Sequence, residues 1–569
     1  MENKLTAHEL TCLAWGAVQK PGKEEDCAKY AEDAIDILYN NKDDKRYLDY
    51  QYILQNYVYI LQCKKDGSRI TQSDAAAAAQ DILDKSLFPD NRQTRYNLAS
   101  YYWSIEDYES ALYQYLAAEA VNEPYDGWID NKNLYINNAG VYSDIALCFY
   151  KLDYITEAYY FAQKAKRISS EEYVINNYNF YKQLYEEKYI QPEIKENKIC
   201  VYAICKNESK FVDKWYESMK EADEIVVLDT GSTDDTVEKL RSHGIKVETK
   251  VFPKWRFDLA RNASMKLIPD DCNILVCTDL DEVLEPGWAK ILKDNWTENK
   301  NKRAYYKYSW SHLPNGESGR IFCYDKIHSR GWTWIFPVHE MLYYPYNEDI
   351  GDAYKDKGEI VQLFELVHLH HYPDQTKPRS TYLPLLELRA KENPDDWYGL
   401  IYLAHEYFYR QLYQKSIDLL HKILDNYSEH YSILEQASCY LFAGDSYVML
   451  KDYDNAIKHY KLAIETEPTY REPYINLAKT YRDLKRFDES KEILETAVKK
   501  TFRHYTWLER DVSWTYELAD ELCLAKWNSG EKVSATLWAV KAWSYEPENE
   551  RLTNNLKICI NNLSELDLI

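Results

Sequence analysis

The chain has 569 residues, of which 93 are acidic and 70 are lysine or arginine, so its formal net charge is −23. A charge of this sign disfavours binding to nucleic-acid phosphates and to anionic membrane surfaces. With 45% hydrophobic residues and only 16 glycines and 17 prolines, the sequence excludes a disordered or collagen-like chain.

Three further features bear on where the protein resides. The sequence contains no apolar run of about 18 residues or more, so we expect no membrane span. The N-terminus lacks the basic start and apolar core of a signal peptide. The 12 cysteines form no Cys-x-x-Cys pair, and several lie within apolar runs, which is typical of reduced thiols. We therefore expect a cytoplasmic protein.

The first region, residues 1–190, is predicted to be an all-helical array of helix hairpins. Small and aromatic residues recur there at similar offsets, in the sets Ala99, Tyr102, Tyr108, Ala111 and Ala146, Phe149, Tyr154, Ala158. The small residues let the two helices of a hairpin approach closely, and the aromatic residues fill the gap to the next hairpin. Such units bury their faces only by stacking on one another.

The middle region, residues 191–378, has a different period. Residues 199–205, 224–228 and 273–278 are short, apolar and rich in β-forming residues, which predicts strands buried on both faces of a parallel sheet. Helical patterns lie between them, so the order is that of βαβ units in an α/β domain. In such sheets, ligands bind beyond the carboxyl ends of the strands.

Polar and acidic residues follow all three predicted strands. Lys206 and Asn207 follow the first, Asp229 opens a polar loop after the second, and Asp279 and Asp281 follow the third. Acidic groups gathered at one edge repel one another unless a divalent cation or a set of N–H donors lies between them. Two carboxylates at one strand end suit Mn²⁺ or Mg²⁺ shared with phosphates. The alternative for the polar loop is a cap for the next helix.

The order and spacing of these motifs resemble those of the family 2 glycosyltransferases with the GT-A fold. The matching segments are Ala-Ile-Cys-Lys-Asn-Glu-Ser, Val-Leu-Asp-Thr-Gly-Ser-Thr-Asp-Asp-Thr, Ala-Arg-Asn and Thr-Asp-Leu-Asp-Glu. The resemblance covers about residues 197–375 and is greatest to the subgroup that is joined to tetratricopeptide repeats, as in bacterial peptide S-glycosyltransferases. It implies a Rossmann-like, mostly parallel GT-A domain between two helical arrays.

That resemblance also implies roles for individual residues. Asp229 resembles the aspartate that contacts the uracil of a UDP-sugar, and Arg261 resembles the basic residue beside the nucleotide. Asp279 and Asp281 resemble the Asp-x-Asp pair, in which one carboxylate lies near the ribose and the other binds the metal.

The remaining residues of these loops have less specific roles. By the same analogy, Lys206 and Asn207 lie near the nucleotide. For Arg261, an ion pair with Asp258 is an equally open alternative.

Further along the chain, the triplet Val-His-Glu ends another apolar segment with His339 and Glu340. Similar family members have this triplet at the same place. Because the reaction needs a base for the acceptor's proton, Glu340 is the predicted catalytic base, and His339 is either the base or the partner that orients it. The alternative is a buried pair that ties two strands together. Trp332 and Trp334 fit sugar stacking, an acceptor channel or core packing.

Three histidines cluster in the next extended segment. His368 and His370 share one face of it, and His371 takes the other. In GT-A enzymes a histidine near the end of the domain often completes the metal site, which implies His370 or His371 as the third ligand beside Asp279 and Asp281. The alternative is a phosphate-facing or purely structural histidine. The spacing matches no zinc signature.

The last region, residues 379–569, repeats with the tetratricopeptide period. Gly444, Tyr447, Tyr453 and Ala456 are followed 34 residues later by Ala478, Tyr481, Phe487 and Ser490. We predict a second all-helical array. Surfaces of this kind usually hold peptide segments or partner proteins.

Together these motifs predict a metal-dependent glycosyltransferase that moves a sugar from a nucleotide-sugar, with UDP as the first choice, to a protein or peptide acceptor. The family resemblance implies inversion at the anomeric carbon. Alternatives are a glycan or lipid-linked acceptor, a non-catalytic repeat scaffold with a degenerate central domain, and a nucleotidyltransferase. No strand is followed by Gly-x-Gly-x-x-Gly or a Walker loop, which disfavours the commonest dinucleotide and P-loop enzymes.

Overall fold

The protein is described by a computed structural model over residues 5–40, 47–63, 69–84, 92–120, 138–189, 196–296, 302–313, 316–345, 359–374 and 382–565. Its residues form two compact units. One consists of Met1–Pro192, Gly331–Thr333 and Tyr344–Tyr354, and the other of Glu193–Arg330, Trp334–Tyr343 and Lys355–Ile569. The limits of three separate domains, at residues 190 and 378, stay a prediction.

The first unit contains a long series of helices before residue 190. Its helices are α1 (Ala7–Val18), α2 (Glu24–Asn40), α3 (Tyr47–Gln62), α4 (Gln72–Asp84), α5 (Arg92–Ser104), α6 (Tyr108–Glu119), α7 (Asn138–Lys151), α8 (Ile155–Ile168) and α9 (Glu172–Tyr189). Thr6 and Glu9 form a capping box that satisfies the free N–H groups at the start of α1. Consecutive helices pack on each other, and buried alanines such as Ala31 and Ala79 allow the close approach. The predicted helical array is confirmed.

The second unit begins with an α/β domain. Its elements are β1 (Ile199–Cys205), α10 (Val212–Met219), β2 (Glu224–Asp229), α11 (Thr236–Ser242), β3 (Lys246–Thr249), α12 (Phe257–Met265), β4 (Ile274–Thr278), β5 (Glu282–Leu284), α13 (Trp288–Asn295), β6 (Lys302–Ser309), β7 (Ile321–His328), β8 (Thr333–Ile335), β9 (Met341–Tyr343) and β10 (Glu359–His371). Eight of these strands form one sheet in the order β3-β2-β1-β4-β7-β6-β10-β5, and β8 pairs with β9.

The sheet is mixed: it is parallel at the predicted strands and again where β6 pairs with β10. The neighbours β3, β2, β1 and β4 run parallel, whereas β7 runs antiparallel to both β4 and β6, and β5 runs antiparallel to β10. Every residue of β1 and β4 is buried, as expected for apolar strands covered on both faces. The three predicted strands are confirmed within one residue of their ends.

The second unit ends with a further helical array. Its helices are α14 (Tyr382–Glu392), α15 (Trp397–Tyr409), α16 (Tyr413–Tyr427), α17 (Ile433–Met449), α18 (Tyr453–Thr466), α19 (Arg471–Asp483), α20 (Phe487–Val498), α21 (Tyr516–Asn528), α22 (Lys532–Tyr545) and α23 (Glu550–Glu565). Among all helices in the described ranges, none is both long enough and apolar enough to cross a membrane.

The connection between α20 and α21, residues 499–515, packs against the α/β domain. The hydroxyl of Ser311 donates to the Asp511 carboxylate over 2.9 Å, and Arg503 donates to the carbonyl oxygen of Gly319 over 2.8 Å. The C-terminal array is therefore joined to the sheet by specific polar contacts within one compact unit.

The 34-residue period corresponds to the hairpins α17–α18 and α19–α20, and Gly444 shows why small residues are needed. A Cβ atom added there would lie 2.6 Å from the ring of Tyr460. That ring is buried, and its hydroxyl donates to Asp445 over 2.6 Å. The ring therefore cannot move away from an added Cβ atom.

We expect Gly444→Ala to lower the free energy of unfolding by about 1–2 kcal/mol. The 2.6 Å contact places the cost of overpacking in the upper half of the usual range of about 1–3 kcal/mol, and the gain in helix propensity offsets about 1 kcal/mol of it. Gly16→Ala is the matched control, since apart from the adjacent residues and the backbone of its own helix, no heavy atom of the described residues lies within 4 Å of its added Cβ. Denaturant unfolding of both variants measures the difference. A Gly444→Ala protein as stable as the parent would contradict this account of the packing.

Candidate active site

Parallel pairing brings the ends of β1, β2 and β4 to one edge of the sheet. Cys205 at the end of β1 is in register with Asp229 at the end of β2, and Ala203 is in register with Thr278 at the end of β4. The polar residues that follow these strands therefore gather at the edge where α/β sheets bind ligands.

Asp229 shapes the loop that follows β2. Its side chain accepts hydrogen bonds from the backbone N–H groups of Gly231, at 3.2 Å, and Ser232, at 3.0 Å. Gly231 has φ of 105°, which glycine adopts without strain. Asp229 is only 1% exposed, so its buried carboxylate stabilises the loop through these two backbone hydrogen bonds.

Asn207 fastens the loop after β1 to the loop after β2. Its backbone N–H donates to Ser232 Oγ over 2.9 Å, and its side-chain oxygen accepts from the N–H of Thr233 over 2.7 Å. The left-handed φ of 54° at Asn207 is one that asparagine tolerates well. Lys206 is exposed beside it. The two predicted nucleotide-side residues thus lie next to the Asp229 loop.

Arg261 is the buried centre of a charge network. Its side chain is 3% exposed; Nη2 donates to Asp279 over 2.9 Å, and Nε donates to Glu340 over 2.8 Å. The predicted alternative, an ion pair with Asp258, is wrong, because Asp258 is held by Arg256 at 2.8 Å. One guanidinium therefore links the Asp-x-Asp motif to the predicted base.

Asp279 is held ionised by two cations. Burial acts to raise the pKa of its carboxyl group, but Arg261 and Lys326 outweigh burial and keep the pKa below the ordinary value. Lys326 Nζ lies 3.4 Å from Asp279 Oδ2. A carboxylate fixed in this way is preorganised to accept hydrogen bonds, for example from a sugar hydroxyl.

Lys326 and the hydrogen bonds of Glu282 are the parts of the site that the sequence did not predict. Glu282 is 1% exposed, accepts the backbone N–H of Asp279 over 2.9 Å and receives the Tyr308 hydroxyl over 3.1 Å. Burial raises the pKa of Glu282. The sequence does hold one signal for Lys326. It is a lysine in a segment that is otherwise rich in apolar and aromatic residues.

Asp281 lies next to His371. The distance from Asp281 Oδ2 to His371 Nε2 is 3.4 Å, and the two side chains are 16% and 15% exposed. The backbone N–H of Tyr372 donates to the Asp281 carbonyl oxygen over 2.7 Å, which keeps the two segments together. Burial acts to lower the pKa of His371, but the contact with Asp281 raises it above the ordinary value.

His370 does not join this pair. It lies on the opposite face of β10, where its Nε2 is 2.9 Å from Glu285 Oε1 and its Nδ1 is 3.0 Å from His312 Nε2. Of the two histidines predicted as the third metal ligand, His371 is the one that the structure brings to Asp281.

The loop that bears His339 and Glu340 is held by the C-terminal array. Arg389 of α14 donates to the carbonyl oxygens of Val338, at 3.0 Å, and His339, at 2.7 Å. The His339 ring stacks on Tyr402 of α15, with centroids 4.0 Å apart and planes 8° apart. The Glu340 side chain is 9% exposed. Repeat helices therefore position the predicted base.

The two tryptophans are core residues. Trp334 is 3% exposed, its indole N–H donates to the Tyr202 hydroxyl over 2.9 Å, and its backbone exchanges hydrogen bonds with Asn262. Trp332, in the first unit, is 2% exposed and packs on Tyr344. Core packing is thus the alternative that the structure supports for both.

Comparison with known protein families agrees with this organisation. The family described as Glycosyl transferase family 2 matches residues 200–345, which include β1 to β9 and the residues from Lys206 to Glu340 discussed above. Tetratricopeptide repeat families match residues 73–126 and 447–504. No curated protein matches the chain.

Several solved structures are similar to parts of the chain or to most of it at low sequence identity. A tetratricopeptide repeat protein of Thermus thermophilus, TTC0263, is 19% identical over 31% of this chain and 88% of its own, with a TM-score of 0.25. MamA of Desulfovibrio magneticus is 15% identical over 30% of this chain and 86% of its own, with a TM-score of 0.24. A chain of the Cut9–Hcn1 structure is 12% identical over 99% of this chain and 85% of its own, with a TM-score of 0.27. Residues 200–345 of this protein form a family 2 glycosyltransferase domain, and tetratricopeptide repeats flank that domain on both sides.

Proposed function

We propose that the protein is a metal-dependent, inverting glycosyltransferase that moves a sugar from a UDP-sugar to a protein or peptide acceptor. The observation on which this rests is the arrangement at one edge of the sheet. Asp281 and His371 lie 3.4 Å apart there. Arg261 fixes Asp279 on one side and Glu340 on the other. The family match supports a glycosyltransferase, while the donor, the metal and the acceptor belong to the proposal.

The residues present fit a divalent cation such as Mn²⁺ or Mg²⁺. Two neighbouring ligands at about 2.1 Å from one ion lie roughly 3 Å apart, which is close to the 3.4 Å between Asp281 Oδ2 and His371 Nε2. The Asp281 carboxylate is the kind of ligand that suits Mn²⁺ and Mg²⁺, and a neutral His371 imidazole would add a nitrogen ligand. When bound, such an ion would supply positive charge for the departing diphosphate.

The other residues of the edge would bind and orient the donor. Asp279, kept ionised by Arg261 and Lys326, would accept hydrogen bonds from the ribose. The loop braced by Asp229 would hold the uracil, and Lys206, which is exposed at the same edge, would contact the phosphates. Because Asp279 and the Asp229 loop are held in place before the substrate arrives, these parts of the site need little reorganisation when charge develops.

The transfer step itself needs a base. The bond between the anomeric carbon and the phosphate oxygen breaks, and the acceptor's nucleophilic atom bonds to that carbon from the opposite face. The acceptor's proton passes to Glu340, whose bond to Arg261 involves only one carboxylate oxygen, Oε1. His339 is the second candidate, but its ring is stacked on Tyr402, which suits an orienting role.

A protein or peptide is the proposed acceptor, because repeat helices of the kind found here commonly bind peptide segments. A glycan acceptor remains the second choice. A non-catalytic scaffold is disfavoured because a buried arginine that joins two carboxylates is costly to keep in a degenerate site.

Calorimetry with UDP and Mn²⁺, followed by incubation with UDP-glucose, UDP-GlcNAc and UDP-galactose, tests the proposal. We expect UDP binding that requires Mn²⁺ and slow release of UDP from one donor. Intact-mass analysis of candidate peptides would then give the sugar and the acceptor together. Absence of both metal-dependent heat and UDP release would favour the scaffold.

We expect Arg389→Lys to slow UDP release about tenfold without weakening UDP–Mn²⁺ binding. Arg389 contacts Asp396 at 2.5 Å in addition to the two carbonyl oxygens of the base loop, and a single lysine ammonium cannot maintain all three contacts. Arg410→Lys, at an exposed arginine paired with Glu406, is the control and should act like the parent. Equal rates for parent and Arg389→Lys would show that α14 does not position the loop.

A further inference from the structure

A second group of metal-ligand side chains lies on the face of β10 away from Asp281. Glu285 Oε1 is 3.0 Å from His368 Nδ1 and 2.9 Å from His370 Nε2. The ligand atoms of these three residues all lie within 4.8 Å of one another. Both imidazoles therefore direct one nitrogen at the same carboxylate oxygen.

The outer nitrogen of each imidazole also has a partner. His368 Nε2 lies 2.7 Å from Ser309 Oγ, and His370 Nδ1 lies 3.0 Å from His312 Nε2. The ring of His312 is itself stacked on Tyr372, with centroids 4.6 Å apart and planes 2° apart. In metal sites, a hydrogen bond to the outer nitrogen fixes the orientation and tautomer of a ligating histidine. The arrangement here supplies such a bond for both rings.

This group is separate from the pair at the sheet edge. Side chains alternate along a strand, so His370 and the adjacent His371 face opposite sides of β10. His371 contacts Asp281, whereas His370 contacts Glu285, whose side chain is 57% exposed. The two histidines of the second group are 19% and 18% exposed. An ion could reach this group from solvent without passing the donor site.

We propose that Glu285, His368 and His370 form a second metal site, which takes a borderline transition-metal ion of the Zn²⁺ class. Two imidazole nitrogens and one carboxylate suit Zn²⁺ better than Mg²⁺, which prefers oxygen ligands. Three protein ligands leave a position for water on the exposed side. This proposal goes beyond the transferase activity and does not depend on it.

A bound ion would link β10, which bears His368 and His370, to Glu285 at the end of β5. Glu285 follows β5 directly, and its backbone N–H donates to the His368 carbonyl oxygen over 3.0 Å. In the same strand pair, His371 is in register with Glu282 and His370 with Val283. An ion held by all three side chains would lock this register, and with it the approach of Asp281 to His371.

Calorimetric titration of the full-length, metal-stripped protein with Zn²⁺ tests the proposal. An Asp281→Asn background removes the competing site, and we expect it to bind one equivalent of Zn²⁺ at the second group. Adding His368→Gln and Glu285→Gln should weaken that binding at least 100-fold. Adding His312→Gln alone should weaken it about 10- to 100-fold, as loss of an outer-nitrogen partner does. His430→Gln, at an exposed histidine elsewhere, should change nothing.

Folding is checked separately, by circular dichroism and thermal unfolding without metal. The variants should match the parent in the absence of Zn²⁺, and Zn²⁺ should raise the melting temperature of the Asp281→Asn protein but not of the triple variant. The proposal is overturned if the Asp281→Asn protein takes up no Zn²⁺, or if the triple variant binds it as tightly. Both results come from Zn²⁺ binding without a sugar donor, whereas the proposed function is judged by UDP binding and UDP release in the parent protein, so either proposal can fail while the other stands.

Discussion

Asp281→Asn should slow UDP release from the donor about a thousandfold and weaken Mn²⁺ binding to the UDP complex more than tenfold. Asparagine has the same shape but no charge, so His371 would be left as the only strong ligand of the pair. Lewis-acid stabilisation of a leaving diphosphate is worth several kcal/mol, and a thousandfold change in rate corresponds to about 4 kcal/mol. Steady-state rates over a range of Mn²⁺ concentrations, together with calorimetry, measure both effects.

The fold should survive this change. The strand contact at this position is made by the Asp281 backbone, which accepts the N–H of Tyr372, and asparagine preserves it. Asp294→Asn is the matched control: it makes the same replacement on the exposed face of α13, where the carboxylate pairs with Lys290 and is 56% exposed. A rate for Asp281→Asn within a few-fold of the parent would rule out Asp281 as the metal ligand.

The parallel strands could be predicted because their sequences are continuous apolar runs. A strand that is buried on both faces can be recognised from its own apolar sequence, without knowledge of its pairing partner, and the polar residues that follow show where it ends. The pairing of β5 with β10 could not be predicted in this way. It joins residues such as Leu284 and Leu369, and nothing local to either segment specifies that partner.

The choice between His370 and His371 depends on that pairing. Alternation along an extended segment shows that the two rings face opposite sides. It does not show which side meets Asp281, because this is set by the register of β10 against β5. The second metal group was hidden for the same reason, since Glu285 reaches His368 and His370 only through tertiary pairing.

Arg261 illustrates a similar limit. Its sequence neighbour Asp258 was a reasonable partner at one helical turn, yet the contacts it makes are with Asp279 and Glu340. The nearer carboxylate is taken by Arg256, which also pairs with Glu392 of α14. Competition among several buried charges decides such pairings, and the sequence around any one residue does not contain that information.

The repeats contribute to the site more directly than their period suggests. Trp507, in the connection between α20 and α21, stacks on Tyr402 with centroids 4.6 Å apart, and Tyr402 in turn stacks on His339. Aromatic residues of the C-terminal array therefore pack against the loop that bears the predicted base. An acceptor segment bound to these repeats would be held close to the atoms that react with it.

Glu340→Gln should lower the rate of UDP release about 100- to 10,000-fold while leaving UDP–Mn²⁺ affinity unchanged. This range is the usual contribution of a positioned general base. The glutamine carbonyl oxygen can still accept the bond from Arg261 Nε, which in the parent spans 2.8 Å, so the network around Asp279 keeps its shape. The variant removes the proton acceptor and leaves the donor site in place.

His339→Asn is the comparison that separates the two candidate bases. Asparagine tolerates the left-handed φ of 47° at this position, so the backbone of the loop is preserved while the imidazole is lost. We expect less than a tenfold fall in rate, since the change removes ring contacts with Tyr402 and Tyr382 and leaves the Glu340 carboxylate in place. If instead the His339 variant were the slower by far, the proton would pass to His339, and Glu340 would serve to hold Arg261 in place.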